Sequence, residues 1–312
     1  MDTENTDNST TNSTTALSTV PEFLLFLQHG WADDNCAMLS LGQSLTTAQA
    51  SIITPRLDYL QTWLRIAPLI DKVEKIATEE IARYPDIPIR IVGHSMGGLI
   101  WLEVLNRHPE WWSRVEALVL VASPVGGADL GRIIDPLRLG IGIARDLGVN
   151  RRAIAEKIAA TIPTLVIAGD FDGGSDGTVP IESTRFANAR FMQLQRLSHA
   201  VLRNHPLVAT TIRQFWLNAG ECQMIEYDSI VRRLQAVPGI TDGHWRDSCK
   251  ARPIMQLNTG GTILTWRNLV GIDHVYVSSS QNQFLYAGFV GWNHQKYLYQ
   301  ALEEIRAMYA IP

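Results

Sequence analysis

The chain has 312 residues, a formal net charge of −4, 46% hydrophobic residues and 19% charged residues, a composition typical of a globular protein with a sizeable core. The weak negative charge and the lack of a long basic run argue against nucleic acid as a partner. Three cysteines at unrelated spacings, Cys36, Cys222 and Cys249, predict reduced thiols in a reducing compartment instead of a disulfide framework.

Residues 1–20 are dominated by Thr, Ser, Asn, Asp and Glu. This segment has neither the basic start nor the apolar centre of a secretory signal peptide, and it is too polar to be buried in a core. No later apolar run reaches the length of a transmembrane helix. We therefore expect a disordered tail, no integral membrane segment and a cytoplasmic protein.

Short apolar runs alternate with segments of helical period from residue 21 to about residue 220. A helix that opens at Pro68 places apolar residues at spacings of three and four as far as Ile81, and further helices are expected over 99–105 and in a segment that ends at Leu217. The predicted strands are 22–28, 51–53, 87–92, 115–122, 164–168 and 189–194. This alternation predicts an α/β fold, a mostly parallel sheet with helices on both faces.

The pattern changes after residue 220, where we place a domain or subdomain boundary. A helix over 224–235 precedes a hairpin of strands 252–257 and 262–266 around the turn 258–261. A second strand pair, 272–278 and 284–290, and a helix over 294–309 complete the chain. Residues 221–312 therefore predict a small α+β unit that matches no family we can name. Its many aromatic residues indicate a core, and a ligand or oligomer surface is the alternative.

Gly93-His94-Ser95-Met96-Gly97-Gly98 lies between a predicted strand and a predicted helix. A serine on so sharp a turn has a strained backbone, and glycines beside it let the helix pass close to the strand. The pattern therefore predicts a nucleophile elbow with Ser95 at its tip. An activated serine also needs a base, a carboxylate that orients the base, and N–H donors for the oxyanion.

Three aspartates follow the strand at 164–168, namely Asp170, Asp172 and Asp176. Their spacing breaks at Gly174 and lacks the closing glutamate of a calcium loop. With Ser95 before this loop and histidines after it, residues 22–220 resemble the α/β-hydrolase superfamily, and among its members the lipase-like and esterase-like serine hydrolases. The resemblance implies an acid shortly before a Val-Pro pair, which favours Asp176 and leaves Asp170 and Asp172 as alternatives in a turn-forming loop.

The base is expected in the loop after the last core strand. His199 stands where the superfamily has its histidine-bearing loop. His205 is the alternative, although its place directly before Pro206 is typical of the start of a helix. The spacing of the remaining histidines, such as His108 and His244, does not resemble a zinc site, so no metal is expected.

The oxyanion hole needs two backbone N–H groups. Met96 supplies one because it follows the nucleophile. His29-Gly30-Trp31 resembles the superfamily's His-Gly oxyanion motif, which implies the N–H of Trp31 as the second donor; a plain strand-ending turn is the alternative. The residues expected to support the elbow and the oxyanion loop are His29, Gly30, Gly93, His94, Gly97 and Gly98.

Ser123-Pro124-Val125-Gly126-Gly127-Ala128 resembles the Ser-Pro-His-x-Gly segment of bacterial lipases, with Val125 in place of the histidine. That departure favours an esterase over a triacylglycerol lipase. Residues 123–162 lie where the superfamily inserts a cap, and a short cap is one interpretation of the apolar positions in this stretch. A helix that packs on the core has the same pattern.

The sequence thus predicts a serine hydrolase that cleaves a carboxylic ester, without a cofactor, through an acyl-enzyme on Ser95, with His199 as base and Asp176 as its orienting carboxylate. The expected partner is a small-molecule or lipid ester, and residues 221–312 could form an oligomer contact. A thioesterase or an acyltransferase would use the same residues. A ligand-binding or interaction protein on a hydrolase fold is the alternative of another class.

Overall fold

The computed structural model describes residues 20–46, 49–127, 142–218, 229–281 and 284–311. Nearly all of the predicted tail (1–19), Cys222, residues 128–141 of the predicted cap and residues 224–228 of a predicted helix lie outside the described residues. Within the described part of the chain, no helix is long and apolar enough to cross a membrane.

A six-stranded sheet forms the first part of the chain, with the order β2-β1-β3-β4-β5-β6 and parallel pairing throughout. Its strands are β1 (Leu24–Gln28), β2 (Ser51–Ile53), β3 (Ile89–His94), β4 (Val115–Val121), β5 (Thr164–Asp170) and β6 (Arg190–Gln195). The central strands are buried almost along their whole length because they consist mainly of Leu, Ile and Val. The predicted parallel sheet is confirmed.

Helices cover both faces of this sheet. They are α1 (Cys36–Leu45), α2 (Ala67–Arg83), α3 (Met96–Arg107), α4 (Ile143–Leu147), α5 (Arg152–Ala159), α6 (Ile181–Thr184) and α7 (Pro206–Leu217). Helices α2, α3, α4 and α5 bury apolar side chains in one core cluster, and α1 and α7 in another. The sequence did not predict α1, because only Met38, Leu41 and Leu45 mark its buried face and no side chain caps its start.

A separate antiparallel sheet lies near the C-terminus, in the order β7-β11-β10-β9-β8. Its strands are β7 (Ile240–Asp242), β8 (Arg252–Gln256), β9 (Thr262–Arg267), β10 (Asp273–Ser278) and β11 (Phe284–Val290). Helices α8 (Ser229–Gln235) and α9 (Gln295–Tyr309) share one core cluster with the sheet. The predicted α+β character and both strand pairs are confirmed, whereas β7 was missed because three residues carry too little pattern. We call residues 229–281 and 284–311 the C-terminal unit.

The C-terminal unit is joined to the first part of the chain by a buried ion pair. The guanidinium of Arg152 binds the carboxylate of Asp242, whose side chain is fully buried and also accepts a 2.8 Å hydrogen bond from the hydroxyl of Tyr286. The backbone N–H of Asp242 donates to the carbonyl of Gly126 at 3.1 Å. The domain boundary predicted near 220 and an oligomer contact through this unit stay predictions.

Residues 123–127 and 142–162 of the predicted cap belong to the described part of the chain. Helices α4 and α5 pack on the core, where Ile143, Leu147 and Ile158 are buried, and Val125 is fully buried in the same cluster. Whether residues 123–162 act as a cap stays a prediction.

Candidate active site

The carboxyl ends of the parallel strands meet at one edge of the sheet, and the residues singled out in the sequence lie there. β1 leads into His29 and Gly30, and β3 ends at His94, directly before Ser95. The segment 170–180, which starts at the last residue of β5 and which we call the acid loop, carries the three aspartates, and His199 follows β6.

The turn at Ser95 is the predicted elbow. Ser95 has φ 55° and ψ −125°, a left-handed conformation that side-chain-bearing residues rarely adopt. A Cβ on Gly93 would lie 2.5 Å from the Cα of Gly98, and a Cβ on Gly97 would lie 2.3 Å from the carbonyl oxygen of Gln28. These two positions require glycine because backbone passes within contact distance of each.

Ser95, His199 and Asp176 form a continuous hydrogen-bonded line. The Nε2 of His199 lies 3.0 Å from the Oγ of Ser95, and its Nδ1 lies 2.6 Å from the Oδ2 of Asp176. Since the carboxylate can only accept, Nδ1–H donates to Asp176, and Nε2 is left to accept the proton of the serine hydroxyl. This is the arrangement in which a histidine can take the proton of a serine as the serine attacks a substrate.

The three aspartates of the acid loop have different partners. Asp176, almost fully buried, accepts from the backbone N–H groups of Thr178 and Val179 through Oδ1, at 2.9 and 2.7 Å, and presents Oδ2 to His199. Asp170 accepts from the N–H groups of Gly173 and Gly174 and from the amide of Gln193. Asp172 binds Ser175 and Arg246.

Of the three carboxylates, only Asp176 is hydrogen-bonded to the imidazole of His199, whereas Asp170 and Asp172 build the loop. His205, the alternative base, accepts a 3.2 Å hydrogen bond from the N–H of Leu207 and caps the N-terminus of α7. The structure therefore brings Asp176 and His199 to Ser95; their catalytic roles are taken up below.

Residues 29–33, which we call the oxyanion loop, lie directly against Ser95 at Gly30. A Cβ on Gly30 would be 2.9 Å from the Cβ of Ser95 and 3.3 Å from its Oγ, so the loop approaches Ser95 as closely as glycine allows. The N–H of Met96 begins α3 and has no intrahelical acceptor. Within the described residues no backbone acceptor is found for the N–H of Trp31 either. Met96 follows Ser95 and Trp31 follows Gly30 in the chain, and their N–H groups stay the predicted donors.

Two buried histidines support the site as neutral groups. His29 accepts at Nε2 from the N–H of Leu57 at 3.1 Å and donates from Nδ1 to the carbonyl of Gly30 at 3.0 Å. Burial lowers the pKa of His29 below its usual value, and burial together with the nearby His199 lowers the pKa of His94 well below it. The Nε2–H of His94 donates to the main-chain carbonyl of His199 at 3.1 Å.

Two contacts near the site have no signal in the sequence. Asp33 Oδ1 accepts a 2.6 Å ion-paired hydrogen bond from Arg203, which links the oxyanion loop to the 3₁₀ turn after His199. Arg246 of the C-terminal unit binds Asp172 of the acid loop. Each contact joins residues far apart in the chain, and a charge on a predicted loop does not indicate its partner.

An aromatic cluster flanks the oxyanion loop. The ring centroids of Trp31 and Trp63 are 4.4 Å apart, and those of Tyr59 and Trp63 are 6.3 Å apart. Leu60 and Leu64, in the same segment, are 73% and 64% exposed and leave an apolar surface open to solvent.

An open cavity of about 650 Å³ lies beside this cluster. Its lining includes Ala32, Arg56, Tyr59 and Lys72 but neither Ser95 nor His199. Within the described residues, no group of three or more His, Cys, Asp or Glu side chains is arranged to hold a metal ion.

Comparison with solved structures gives lipases and esterases of the α/β-hydrolase fold. A lipase of Bacillus licheniformis in its mature form is 14% identical, with 64% of this chain and 93% of that chain covered and a TM-score of 0.49. Est1E of Butyrivibrio proteoclasticus with bound ferulic acid is 15% identical, with 64% and 90% covered and a TM-score of 0.49. A metagenomic carboxyl esterase is 18% identical, with 64% and 74% covered and a TM-score of 0.45.

No protein-family model and no curated protein matches the sequence. At the identities and TM-scores of the solved structures, the likeness concerns the fold alone. We therefore infer the chemistry of this chain from the contacts of Ser95, His199 and Asp176.

Proposed function

We propose that this protein is a serine hydrolase that cleaves carboxylic esters through an acyl-enzyme on Ser95. The observation that carries the proposal is the hydrogen-bonded line from Ser95 Oγ through His199, at 3.0 Å, to Asp176, at 2.6 Å. A protein that only binds a ligand has no need of this line beside a strained elbow and an oxyanion loop.

In the acylation step, the Oγ of Ser95 attacks the ester carbonyl while Nε2 of His199 takes the hydroxyl proton. Asp176 holds the imidazole by its Nδ1–H and stabilises the imidazolium as it forms. The N–H groups of Met96 and Trp31 donate to the oxyanion of the tetrahedral intermediate; removing one such donor typically costs about 2.7–4 kcal/mol of transition-state stabilisation. His199 then gives its proton to the departing alcohol.

In the deacylation step, His199 takes a proton from a water molecule, and the resulting hydroxide attacks the acyl-enzyme carbonyl. The same donors stabilise the second oxyanion, and Ser95 leaves with the proton returned by His199. The cycle uses only side chains and backbone N–H groups of the protein, together with water.

The motifs that resemble lipase-like and esterase-like hydrolases favour an ester as the substrate. The aromatic pair Trp31 and Trp63 and the exposed Leu60 and Leu64 support an ester with an apolar acyl or alcohol part, because they offer apolar surface next to the proposed oxyanion donor. Val125 in place of the lipase-type histidine favours an esterase over a triacylglycerol lipase.

The test is covalent labelling of the full chain with a fluorophosphonate, followed by turnover of p-nitrophenyl esters from acetate to dodecanoate and of an acyl thioester. We expect one label on Ser95, and we expect Ser95→Ala to remove the label and to lower kcat by at least about 10⁴-fold. No labelling of the wild-type protein and no ester turnover would overturn the proposal and favour a binding protein. Faster turnover of the thioester than of its oxygen ester would replace the ester with a thioester.

A further inference from the structure

The C-terminal unit reaches the acid loop through one 3₁₀ turn, Trp245–Lys250. Arg246 in this turn forms an ion pair with Asp172. The indole of Trp245 packs directly on Gly174, where a Cβ would lie 2.2 Å from its Nε1. The acid loop is therefore packed against a distant part of the chain, because the indole of Trp245 and the guanidinium of Arg246 both contact it.

Asp172 is in turn hydrogen-bonded to Ser175. Its Oδ1 accepts from the backbone N–H and from the hydroxyl of Ser175, at 2.9 and 2.8 Å. Ser175 is fully buried, directly precedes Asp176, and accepts a 3.0 Å hydrogen bond at its Oγ from the N–H of Gly177. Asp172 thus fixes the residues on either side of Asp176.

The charge of Asp172 depends on its neighbours. Burial acts to raise the pKa of this carboxyl, but the hydrogen bonds from Ser175 and Arg246 and the nearby His244 together lower the pKa below its usual value. Without Arg246, a carboxylate that is only 26% exposed would lose its arginine partner and keep the more distant His244, at 3.8 Å. It would then gain by turning toward water and away from Ser175.

We propose that the C-terminal unit holds the acid loop in the conformation that the Ser95–His199–Asp176 line requires, and that Arg246 is the positioning residue through which it acts. The contacts form an unbroken path from Arg246 through Asp172 and Ser175 to Asp176 and His199. The proposal deepens the function proposed above and rests on it for the readout of turnover.

The test compares Arg246→Gln, Asp172→Ala and the double variant with the wild-type full chain. We expect Arg246→Gln to lower kcat by about tenfold or more and to change KM by less than about twofold, since the loop orients the base and does not bind substrate. Asp172→Ala should lower kcat at least as much. The double variant should be no worse than Asp172→Ala alone, because the two residues act through one contact. Arg246→Lys, which keeps the charge, should recover most of the loss.

Arg267→Gln is the matched control. Arg267 belongs to the same unit, is exposed to a similar degree and forms a two-point ion pair with Asp273, but it does not touch the acid loop. We expect this variant to keep the wild-type kcat. A kcat loss in Arg267→Gln equal to that in Arg246→Gln would show that general weakening of the unit explains both, and would overturn the proposal.

A second readout needs no substrate. The proton between Nδ1 of His199 and Asp176 should give a far-downfield proton resonance in the wild-type protein and in Arg267→Gln, and a weakened or shifted one in Arg246→Gln. An unchanged resonance together with unchanged kcat in Arg246→Gln would overturn the positioning role. If the wild-type protein shows the resonance but neither labelling nor turnover, the proposed function fails while the positioning of Asp176 by Arg246 is still decided by the resonance.

Discussion

The Nε2–H of His94 donates a 3.1 Å hydrogen bond to the main-chain carbonyl of His199, and the two rings lie 4.8 Å apart. His94, the residue before Ser95, thus holds the backbone of His199, the proposed base. The elbow follows β3 and the histidine loop follows β6, so this bond fixes one loop relative to the other.

This bond leads to the first prediction. His94→Leu removes the donor, so the His199 loop should move and kcat on p-nitrophenyl esters should fall by about 10–100-fold with little change in KM. His94→Gln, whose amide can still donate, should retain most of the activity. Equal activity of the leucine variant and the wild-type protein would contradict the supporting role of His94.

A second prediction separates the three aspartates. Asp176→Asn should lower kcat by about 10³–10⁴-fold, because an amide no longer holds His199 in the required tautomer. Asp170→Asn should cause a far smaller loss, since among the described residues the Asp170 carboxylate accepts hydrogen bonds only from Gly173, Gly174 and Gln193. Steady-state kinetics of both variants, with circular dichroism to verify folding, decides the assignment. A larger loss in Asp170→Asn would reverse it.

A third prediction concerns the space beside Ser95. In Gly30→Ala the new methyl group would lie 2.9 Å from the Cβ of Ser95 and 3.3 Å from its Oγ, so fluorophosphonate labelling should slow by about 100-fold or more. Gly291→Ala is the control, because its Cβ would meet nothing within 4 Å and its φ is −74°. Labelling of Gly30→Ala at the wild-type rate would show that the oxyanion loop does not approach Ser95 in solution.

A fourth prediction follows from the buried neutral histidines. Burial is the main cause that lowers the pKa values of His29 and His94 below 6.5 in the folded protein. Below pH 6.5 the unfolded chain therefore binds protons that the folded protein does not, and the stability present above that pH is lost as the pH falls. Each such histidine contributes up to about 1.4 kcal/mol per pH unit to the unfolding free energy.

Three other groups with a shifted pKa do not produce the same slope. Although burial acts to lower the pKa of His108, its hydrogen bonds to Glu110 and Glu74 raise it, so its contribution is fully present below pH 6.5 and constant there. Burial raises the pKa values of Asp242 and Glu182, which act in the opposite sense. Urea unfolding of the wild-type protein and of His94→Gln between pH 5 and pH 8 isolates the effect. The variant should lose a smaller share of its stability below pH 6.5, and parallel curves would contradict the prediction.

A fifth prediction concerns the buried Arg152–Asp242 ion pair between the C-terminal unit and the first part of the chain. Asp242→Ala leaves the buried guanidinium of Arg152 without its carboxylate and should lower the unfolding free energy by about 3–5 kcal/mol. Glu80→Ala, which breaks the exposed pair with Arg83, should cost no more than about 0.5 kcal/mol. Urea denaturation of both variants measures the difference, and similar losses would mean that the Arg152–Asp242 pair does not join the two parts.

Much of the fold was predictable because its signals are local. The apolar runs of β1, β3, β4 and β5 and the three- and four-residue spacing in α2 depend only on neighbouring residues. The elbow at Ser95 was equally visible, because strand, glycines and helix follow one another directly. Helix α1 and strand β7 were missed because each carries too few apolar positions to form a pattern.

By itself, the sequence determined the α/β class, the order of strands and helices, and the loops that carry Ser95, three aspartates and two histidines. The tertiary structure decided which aspartate faces His199, that His94 holds the His199 loop, and that Arg246 lies against Asp172. The physical reason is distance along the chain. These contacts form only after separate strands end at one edge of the sheet and the C-terminal unit packs beside it, and no local pattern of residues encodes which of several charged loop residues will then meet.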